Sequence, residues 1–146
     1  MTNFPLPRGP RMRCAALLLA SPLAALAAEL TLRVTDGPAA EATLYAALYD
    51  SAETFAGGGK PVATQIAPLR EGSAQLRFPN LAPGHYALRV FADENGNGQL
   101  DTNPMGLPLE RYGFSNDARG NRGAPAFEAA ALQIDTADRS AVIRLR

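Results

Sequence analysis

The stretch HYALRVFADENGNGQLD, residues 85–101, decides the expected fold and contains the candidate site. Its first half alternates between apolar and other side chains with a period of two, which predicts a β-strand rather than a helix. Its second half carries oxygen-bearing side chains at alternate positions, interleaved with glycine. The sequence therefore predicts a strand that runs directly into a loop able to surround a cation.

The loop follows the first half of the spacing of an EF-hand, in which alternate side chains turn toward one Ca²⁺ ion. Hard cations take six to eight oxygen ligands, and a glycine at position six allows the sharp turn of the backbone. Here Gly98 stands at that position. The candidate ligands are Asp93, Asn95, Asn97, Gln99, Asp101 and, from further along the chain, Glu110.

Two departures from the EF-hand pattern keep another interpretation open. Position twelve, where a bidentate glutamate is expected, is Pro104, and a strand rather than a helix precedes Asp93. A bound ion would then need a carboxylate from elsewhere, and Glu110 is the nearest downstream candidate. Without an ion, Asn95-Gly96 and Asn97-Gly98 would act as turn dipeptides of a hairpin.

Residues 1–27 have the composition of a cleaved signal peptide. Arg8, Arg11 and Arg13 form a basic start without acidic residues, an apolar run follows, and residues 25–27 (Ala-Leu-Ala) fit a small-x-small cleavage site. Pro22 interrupts the apolar run, which is too short to span a bilayer. We therefore expect export to the periplasm or the exterior, with no transmembrane segment in the mature chain.

Cleavage after residue 27 would leave 119 of the 146 residues, with 11 basic and 14 acidic side chains and a net charge of −3. A chain of this length forms one domain with a modest core. The single cysteine, Cys14, would leave with the signal peptide, so no intramolecular disulfide is expected. A mildly acidic domain also lacks the basic face that nucleic acid requires.

The mature chain is predicted to be all-β. The predicted strands are 29–35, 42–49, 62–67, 73–78, 85–92, 127–134 and 140–145, with the last two paired as a hairpin. Residues 50–61 are predicted to be a mobile loop. Strands separated by regular turns, with no convincing amphipathic helix, favour a β-sandwich of about seven strands.

Residues 93–126 contain no confident strand and form one long loop rich in Gly, Asn and Pro. A loop of this length in a small domain is usually functional. A cation would help to order it; the alternative is aromatic packing against the sheet edge. The candidate contacts for a partner in this loop are Tyr112, Phe114 and Asn116.

Three blocks resemble the DUF2141 family of exported bacterial proteins. They are residues 80–103, the block 106–116 (GLPLERYGFSN), and, less closely, the block 123–130 (GAPAFEAA). The resemblance covers essentially the whole mature chain. It implies a single immunoglobulin-like or transthyretin-like β-sandwich and export, and it implies no particular biochemical activity.

A catalytic function has little support in the sequence. His85 is the only histidine, which excludes an ordinary His/Cys zinc site, and no Gly-x-Ser-x-Gly motif is present. Four carboxylates could in principle pair as in a glycosidase, but they are more simply explained as metal ligands or solvated charges. These are Glu94, Asp101, Glu110 and Glu128.

Two non-enzymatic hypotheses follow. In the first, a Ca²⁺-stabilised envelope module presents residues 93–126 to a glycan or protein partner. In the second, the domain is a structural or assembly subunit that acts through a sheet edge or face without a metal. The outward-facing Tyr45, Ala47 and Tyr49 of the second strand motivate this alternative.

Overall fold

A computed structural model describes residues 27–146, so the predicted signal peptide lies outside them except for its last residue. Eight strands form two sheets. The strands are β1 (Ala28–Thr35), β2 (Ala42–Tyr49), β3 (Ala63–Leu69), β4 (Ala74–Leu81), β5 (Gly84–Asp93), β6 (Tyr112–Phe114), β7 (Leu132–Ile134) and β8 (Arg139–Arg144). A π-helical turn (Thr54–Gly58), a 3₁₀ turn (Ser115–Asp117) and a four-residue helix α1 (Phe127–Ala130) complete the described elements. The predicted all-β sandwich is confirmed.

The two sheets have different sizes. The smaller has the order β4-β1-β8, in which β1 pairs antiparallel with β4 and parallel with β8. The larger has the order β3-β2-β5-β6, and β7 pairs with the first residues of β5. β5 is therefore a central strand, and the loop that follows it begins at the end of the larger sheet.

The main core lies between the two sheets and comes from alternate positions of the strands. β1 contributes Leu30, Leu32 and Val34, and all three are fully buried, as the alternation predicts. The larger sheet contributes the alternate apolar residues of β2 and β5 to the same core. These are Leu44, Ala46, Leu48, Leu88, Val90 and Ala92. The odd-numbered residues between them, such as Arg89, consequently face outward.

The prediction of a hairpin between residues 127–134 and 140–145 is wrong. Residues 127–130 form α1, and β7 pairs with β5 instead of β8. Alanine has the highest helix propensity, and Ala129 and Ala130 lie within this turn. β8 instead lies parallel to β1, where Ile143 is fully buried in the main core.

Residues 50–61, which we predicted to be a mobile loop, contain the π-helical turn. Phe55 in this turn is buried with only 2% of its surface exposed. It packs edge-to-face on Tyr49, Phe114 and Phe127, with ring centroids 5.6–6.0 Å apart. Burial of this aromatic ring ties the turn to the outer face of the larger sheet and forms a second, smaller core.

The turn between β4 and β5 is closed by a tyrosine side chain. The hydroxyl of Tyr86 donates a hydrogen bond of 2.8 Å to the carbonyl oxygen of Ala82, four residues earlier. A tyrosine near the start of a strand that bonds back to the preceding turn is a feature of immunoglobulin-like sandwiches. Burial, followed by the negative charge of Asp50, raises the pKa of Tyr86.

Replacing Tyr86 with phenylalanine removes this hydrogen bond and keeps the buried ring. We expect Tyr86→Phe to lower the free energy of unfolding by about 0.5–1.5 kcal/mol, the usual net value of one such bond. Urea unfolding at neutral pH measures the change. Tyr112→Phe is a matched control, because its ring is half-buried and its hydroxyl makes no hydrogen bond among the described residues. Equal stability of the Tyr86 variant and the wild type would contradict this role.

Candidate functional site

The candidate loop is anchored by the carboxylate of Asp93, the last residue of β5. Only 2% of Asp93 is exposed. Its Oδ1 accepts a hydrogen bond of 2.7 Å from the backbone N–H of Gly96, and its Oδ2 accepts one of 2.8 Å from that of Gly98. Both glycines have positive φ angles, 79° and 74°, which a residue with a Cβ adopts with difficulty. The loop therefore winds around Asp93.

This environment changes the acidity of Asp93. Desolvation by itself would raise the pKa, but hydrogen bonds from the backbone around Gly98, Gly96, Asn97 and Asn95 outweigh it. The pKa of Asp93 is consequently held below its ordinary value of 3.8. Several backbone N–H groups of the loop thus point their positive ends at the Asp93 carboxylate and stabilise its ionised form.

A second carboxylate closes the loop from the other side. Glu110 is 8% exposed, and its Oε1 accepts a hydrogen bond of 2.9 Å from the N–H of Glu94. Its Oε2 accepts one of 3.1 Å from the N–H of Asp101. Glu110 therefore connects the beginning and the end of the candidate loop. The structure places Glu110 beside the loop and gives both of its carboxylate oxygens backbone N–H partners.

The remaining candidate ligands meet at the surface of the loop. The Nδ2 of Asn97 lies 3.0 Å from both carboxylate oxygens of Asp101, and the Nδ2 of Asn95 also donates to Asp101. The Oδ1 atoms of the two asparagines accept backbone N–H bonds from Asn97 and Gln99, at 3.0 and 2.9 Å. Gln99 contributes its backbone to this network, and its side chain is exposed.

These side chains fit Ca²⁺ in their chemistry, since they offer carboxylate and amide oxygens from alternate residues. Their present arrangement is closed by hydrogen bonds instead. Within residues 27–146, no three His, Cys, Asp or Glu side chains form one metal-binding group. For an ion to bind here, the amides of Asn95 and Asn97 would have to turn so that their oxygens, and not their nitrogens, face Asp101.

A small hairpin-like turn follows the candidate loop. The Oδ1 of Asn103 accepts hydrogen bonds of 3.0 Å from the N–H groups of Met105 and Leu107, and a single bridge joins Thr102 to Pro108. This turn displays three apolar side chains to solvent. Met105 is 83% exposed, Leu107 54% and Leu109 68%. This apolar surface was not predicted, although Met, Leu and Leu at every second position are a local signal for it.

The prediction that residues 93–126 form one loop without a strand is wrong, because β6 lies within them and pairs with β5. The predicted partner contacts lie on this strand and just after it. Phe114 is 8% exposed and belongs to the smaller core, so it has little surface to offer a partner. Tyr112 is half-buried, with the Arg146 guanidinium 5.1 Å above its ring. Asn116 is exposed and donates from Nδ2 to the carbonyl of Ala131 at 2.9 Å. These contacts hold the segment 112–116 in place.

Ser115 is a structural residue that sequence reasoning missed. It is fully buried, and its Oγ accepts a hydrogen bond of 2.9 Å from the N–H of Leu88. The same hydroxyl donates to the carbonyl of Ala130 at 2.5 Å. Ser115 thus connects β5 to the end of α1, and no local sequence pattern indicated which serine would do so.

The outward residues of β2 are partly covered in the structure. Tyr45 stacks on Phe91 of β5 with ring centroids 5.0 Å apart and an angle of 6° between the rings. Tyr49 packs on Phe55, as described above, and Ala47 is half-buried between them. Much of the aromatic surface that motivated an assembly interface is therefore used in contacts within the chain.

Comparison with known proteins gives one family match. The family described as "Uncharacterized protein conserved in bacteria (DUF2141)" matches residues 32–142. No curated protein matches significantly. Among solved structures, the "Pilus-presented adhesin, Spy0125 (Cpa)" is similar at 14% identity and a TM-score of 0.30, over 84% of this chain and 27% of the adhesin chain. A mutant of that adhesin gives 14% identity and a TM-score of 0.27, over 82% and 27% of the two chains.

Exchange of Glu110 for glutamine tests the closing contact of the loop. An amide has one oxygen, so in Glu110→Gln one of the two backbone N–H groups faces another donor. We expect the free energy of unfolding to fall by about 1–3 kcal/mol, with or without Ca²⁺, because a buried donor loses its acceptor. Urea unfolding in chelator measures this. Glu41→Gln, at an exposed position, is the control and should have no effect; a loss seen only with Ca²⁺ would show that Glu110 acts solely through the ion.

The depressed pKa of Asp93 predicts a pH dependence. The folded state favours the ionised carboxylate, so its contribution to stability is complete above about pH 4 and is lost as the pH falls through the folded-state pKa. Asp93→Asn should therefore weaken the loss of stability that occurs as the pH falls below about 4. Urea unfolding in chelator at a series of pH values measures this. Identical pH profiles for the variant and the wild type would contradict it.

Proposed function

The chain belongs to the DUF2141 family, and we propose that it acts as an exported, non-catalytic β-sandwich module with a Ca²⁺-binding loop. In this proposal the loop orders a surface for a protein or glycan partner in the cell envelope. One observation supports this proposal most directly. The buried carboxylate of Asp93 is followed by oxygen side chains at alternate positions, and three exposed apolar side chains come next in the chain.

Export is supported by the sequence of residues 1–27, with its basic start, apolar run and small-x-small end. None of the helices within residues 27–146 is long and apolar enough to cross a membrane. A periplasmic or secreted location would expose the loop to the Ca²⁺ concentrations for which extracellular modules are adapted.

A non-catalytic role is supported by the surroundings of His85. This residue is exposed on β5, opposite Gln133 of β7. Within residues 27–146 its side chain makes no hydrogen bond, so His85 is not positioned there as the base of a serine or threonine nucleophile. The buried carboxylates Asp93 and Glu110 both accept backbone N–H bonds, which suits anchoring better than proton transfer.

The proposed Ca²⁺ shell consists of Asp93 and Asp101 with the amide oxygens of Asn95 and Asn97. Binding exchanges the amide hydrogen bonds to Asp101 for coordination by the ion. Two carboxylates give a low ligand charge, and the existing hydrogen bonds must first be broken. We therefore expect a dissociation constant of about 10⁻⁴–10⁻³ M, the range of extracellular Ca²⁺ modules.

The proposed partner surface consists of Met105, Leu107 and Leu109. Exposed apolar side chains grouped on an ordered turn are typical of protein interaction sites. Their aliphatic character favours a protein partner over a glycan. The N–H of Leu109 donates a hydrogen bond of 2.8 Å to the carbonyl oxygen of Asp101. Ion binding that fixes Asp101 would therefore also fix the position of this surface.

The alternative function, an assembly subunit without a metal, is supported by the edge strand β3. Ile66 is 57% exposed on it, and Val62 immediately before it is 49% exposed. The edge also carries Pro68, which has no N–H for pairing with another strand. Proline at this edge opposes strand addition, so a side-chain contact is the form of assembly that the edge would permit.

Calorimetric titration of Ca²⁺ into chelator-treated protein of residues 28–146 tests the metal proposal. We expect saturable binding and a rise in melting temperature, because the ion binds the folded loop and not the unfolded chain. Asp101→Asn should weaken binding at least tenfold, since it removes one of two charged ligands. Asp135→Asn, the same change in an exposed turn, should leave binding unchanged.

Mg²⁺ serves as the control ion because it demands a smaller, octahedral shell. Equal responses to both ions, or no saturable response to Ca²⁺, would reject the metal site. In that case the asparagine–aspartate network alone orders the loop, and the partner surface at Met105 would be tested without metal.

A further inference from the structure

A cleft on the outer face of the larger sheet lies apart from the candidate loop. It has a volume of about 380 Å³ and is formed between the π-helical turn, residues 124–126 and the start of α1. Its walls are the methyl groups of small residues, Pro125 and the rings of Phe55 and Phe127, and Arg89 contributes the positive charge. The volume is in the range of small-molecule sites.

The guanidinium of Arg89 is held in place by aromatic rings. It lies 4.5 Å from the ring centroid of Phe55 and 5.5 Å from that of Tyr49, distances at which cation–π attraction operates. One Nη atom donates a hydrogen bond to the carbonyl oxygen of Phe55. These contacts fix the orientation of the planar group, so little conformational freedom is lost when an anion binds.

The charge of Arg89 has no anionic partner among residues 27–146. The ion pairs of the described residues join Arg77 to Glu29 and Arg144 to Asp117, and Arg89 takes part in neither. Its Nε is buried and makes no hydrogen bond. A guanidinium has five N–H donors, and the single bond to Phe55 leaves most of them without a protein acceptor.

We propose that this cleft binds a monocarboxylate with a short apolar body, with Arg89 as the anchor of its carboxylate. Arg89 lines the cleft, and the planar fork of a guanidinium matches the two oxygens of a carboxylate. The apolar body of the ligand packs against the alanine, proline and phenylalanine walls. This inference is independent of the proposed Ca²⁺ site.

The charges in the cleft favour a monoanion. Among residues 27–146, Arg89 is the only basic residue that lines it, and Glu128, an exposed residue, also lines it. The single charge of a carboxylate is balanced by the one guanidinium. A phosphate dianion would carry a second negative charge, which Arg89 would leave unbalanced and Glu128 would repel. Glu128 should also weaken the binding of any anion by repulsion at short range.

The test is titration of sodium butyrate into ¹⁵N-labelled protein of residues 28–146, which contain both sheets and the whole described core. Butyramide, which has the same shape without the charge, and inorganic phosphate are the comparison probes. We expect saturable shifts of the Arg89 Nε–Hε signal and of the amides of residues 124–128 with butyrate, and weaker, unsaturated changes with the other two.

Three variants separate binding from folding. Arg89→Met keeps the length of the side chain and removes its charge, and it should weaken butyrate binding at least tenfold. Glu128→Gln should strengthen it about two- to fivefold, a gain that a folding defect cannot produce. Arg33→Met, at an exposed position of β1, is the control and should leave the affinity unchanged.

Equal binding of butyrate and butyramide would overturn the proposal. An unchanged affinity for butyrate in both single variants, Glu128→Gln and Arg89→Met, would also overturn it. Arg89 would then serve only to staple the π-helical turn to the sheet. Comparison with N-acetyl-alanylalanine and its amide identifies the source of the carboxylate. Tighter binding of this peptide acid than of butyrate indicates a chain end, and the reverse indicates a free acid. Asp101→Asn should leave all of these affinities unchanged.

Discussion

Backbone polar groups in a long irregular segment need partners, and in this protein two carboxylates supply them. Asp93 accepts the N–H groups of Gly96 and Gly98, and Glu110 accepts those of Glu94 and Asp101. These four bonds give acceptors to backbone donors of the irregular segment between β5 and β6, which can therefore lie against the sandwich. The candidate ion ligands and the exposed apolar turn both depend on these hydrogen bonds. Glu110 binds the backbone at Glu94, where the loop begins, and at Asp101, directly before the turn.

A second layer on the outer face of the larger sheet gives the molecule its other distinct region. Phe55 from the π-helical turn and Phe114 from β6 meet over the sheet, and Ser115 ties β5 to α1. Sandwiches commonly leave an outer sheet face to solvent. Here the residues of the smaller core cover part of that face, and a cleft lined by Arg89 remains beside them.

Strand positions could be predicted because a period of two is a local signal. Alternation in β1 predicted that Leu30, Leu32 and Val34 face inward, and all three are fully buried. The candidate ligands Asp93, Asn95, Asn97 and Asp101 lie in one loop, where hydrogen bonds connect them. Pairing partners are not a local property, so the parallel contact of β8 with β1 was missed. The aromatic contacts of Phe55 and the backbone hydrogen bonds of Ser115 likewise join residues that are distant in sequence, so no local pattern predicts them.

The parallel pairing of β1 with β8 has a consequence for the order of folding. β1 is the central strand of its sheet, and it joins residues more than 100 positions apart, such as Leu30 and Arg139. Contacts of such long sequence separation form slowly, because a large loop must close first. Until the last residues are available, one edge of β1 remains open to other chains. The smaller sheet is therefore completed only when β8 has become available to the folding chain, which makes its closure a late step of folding.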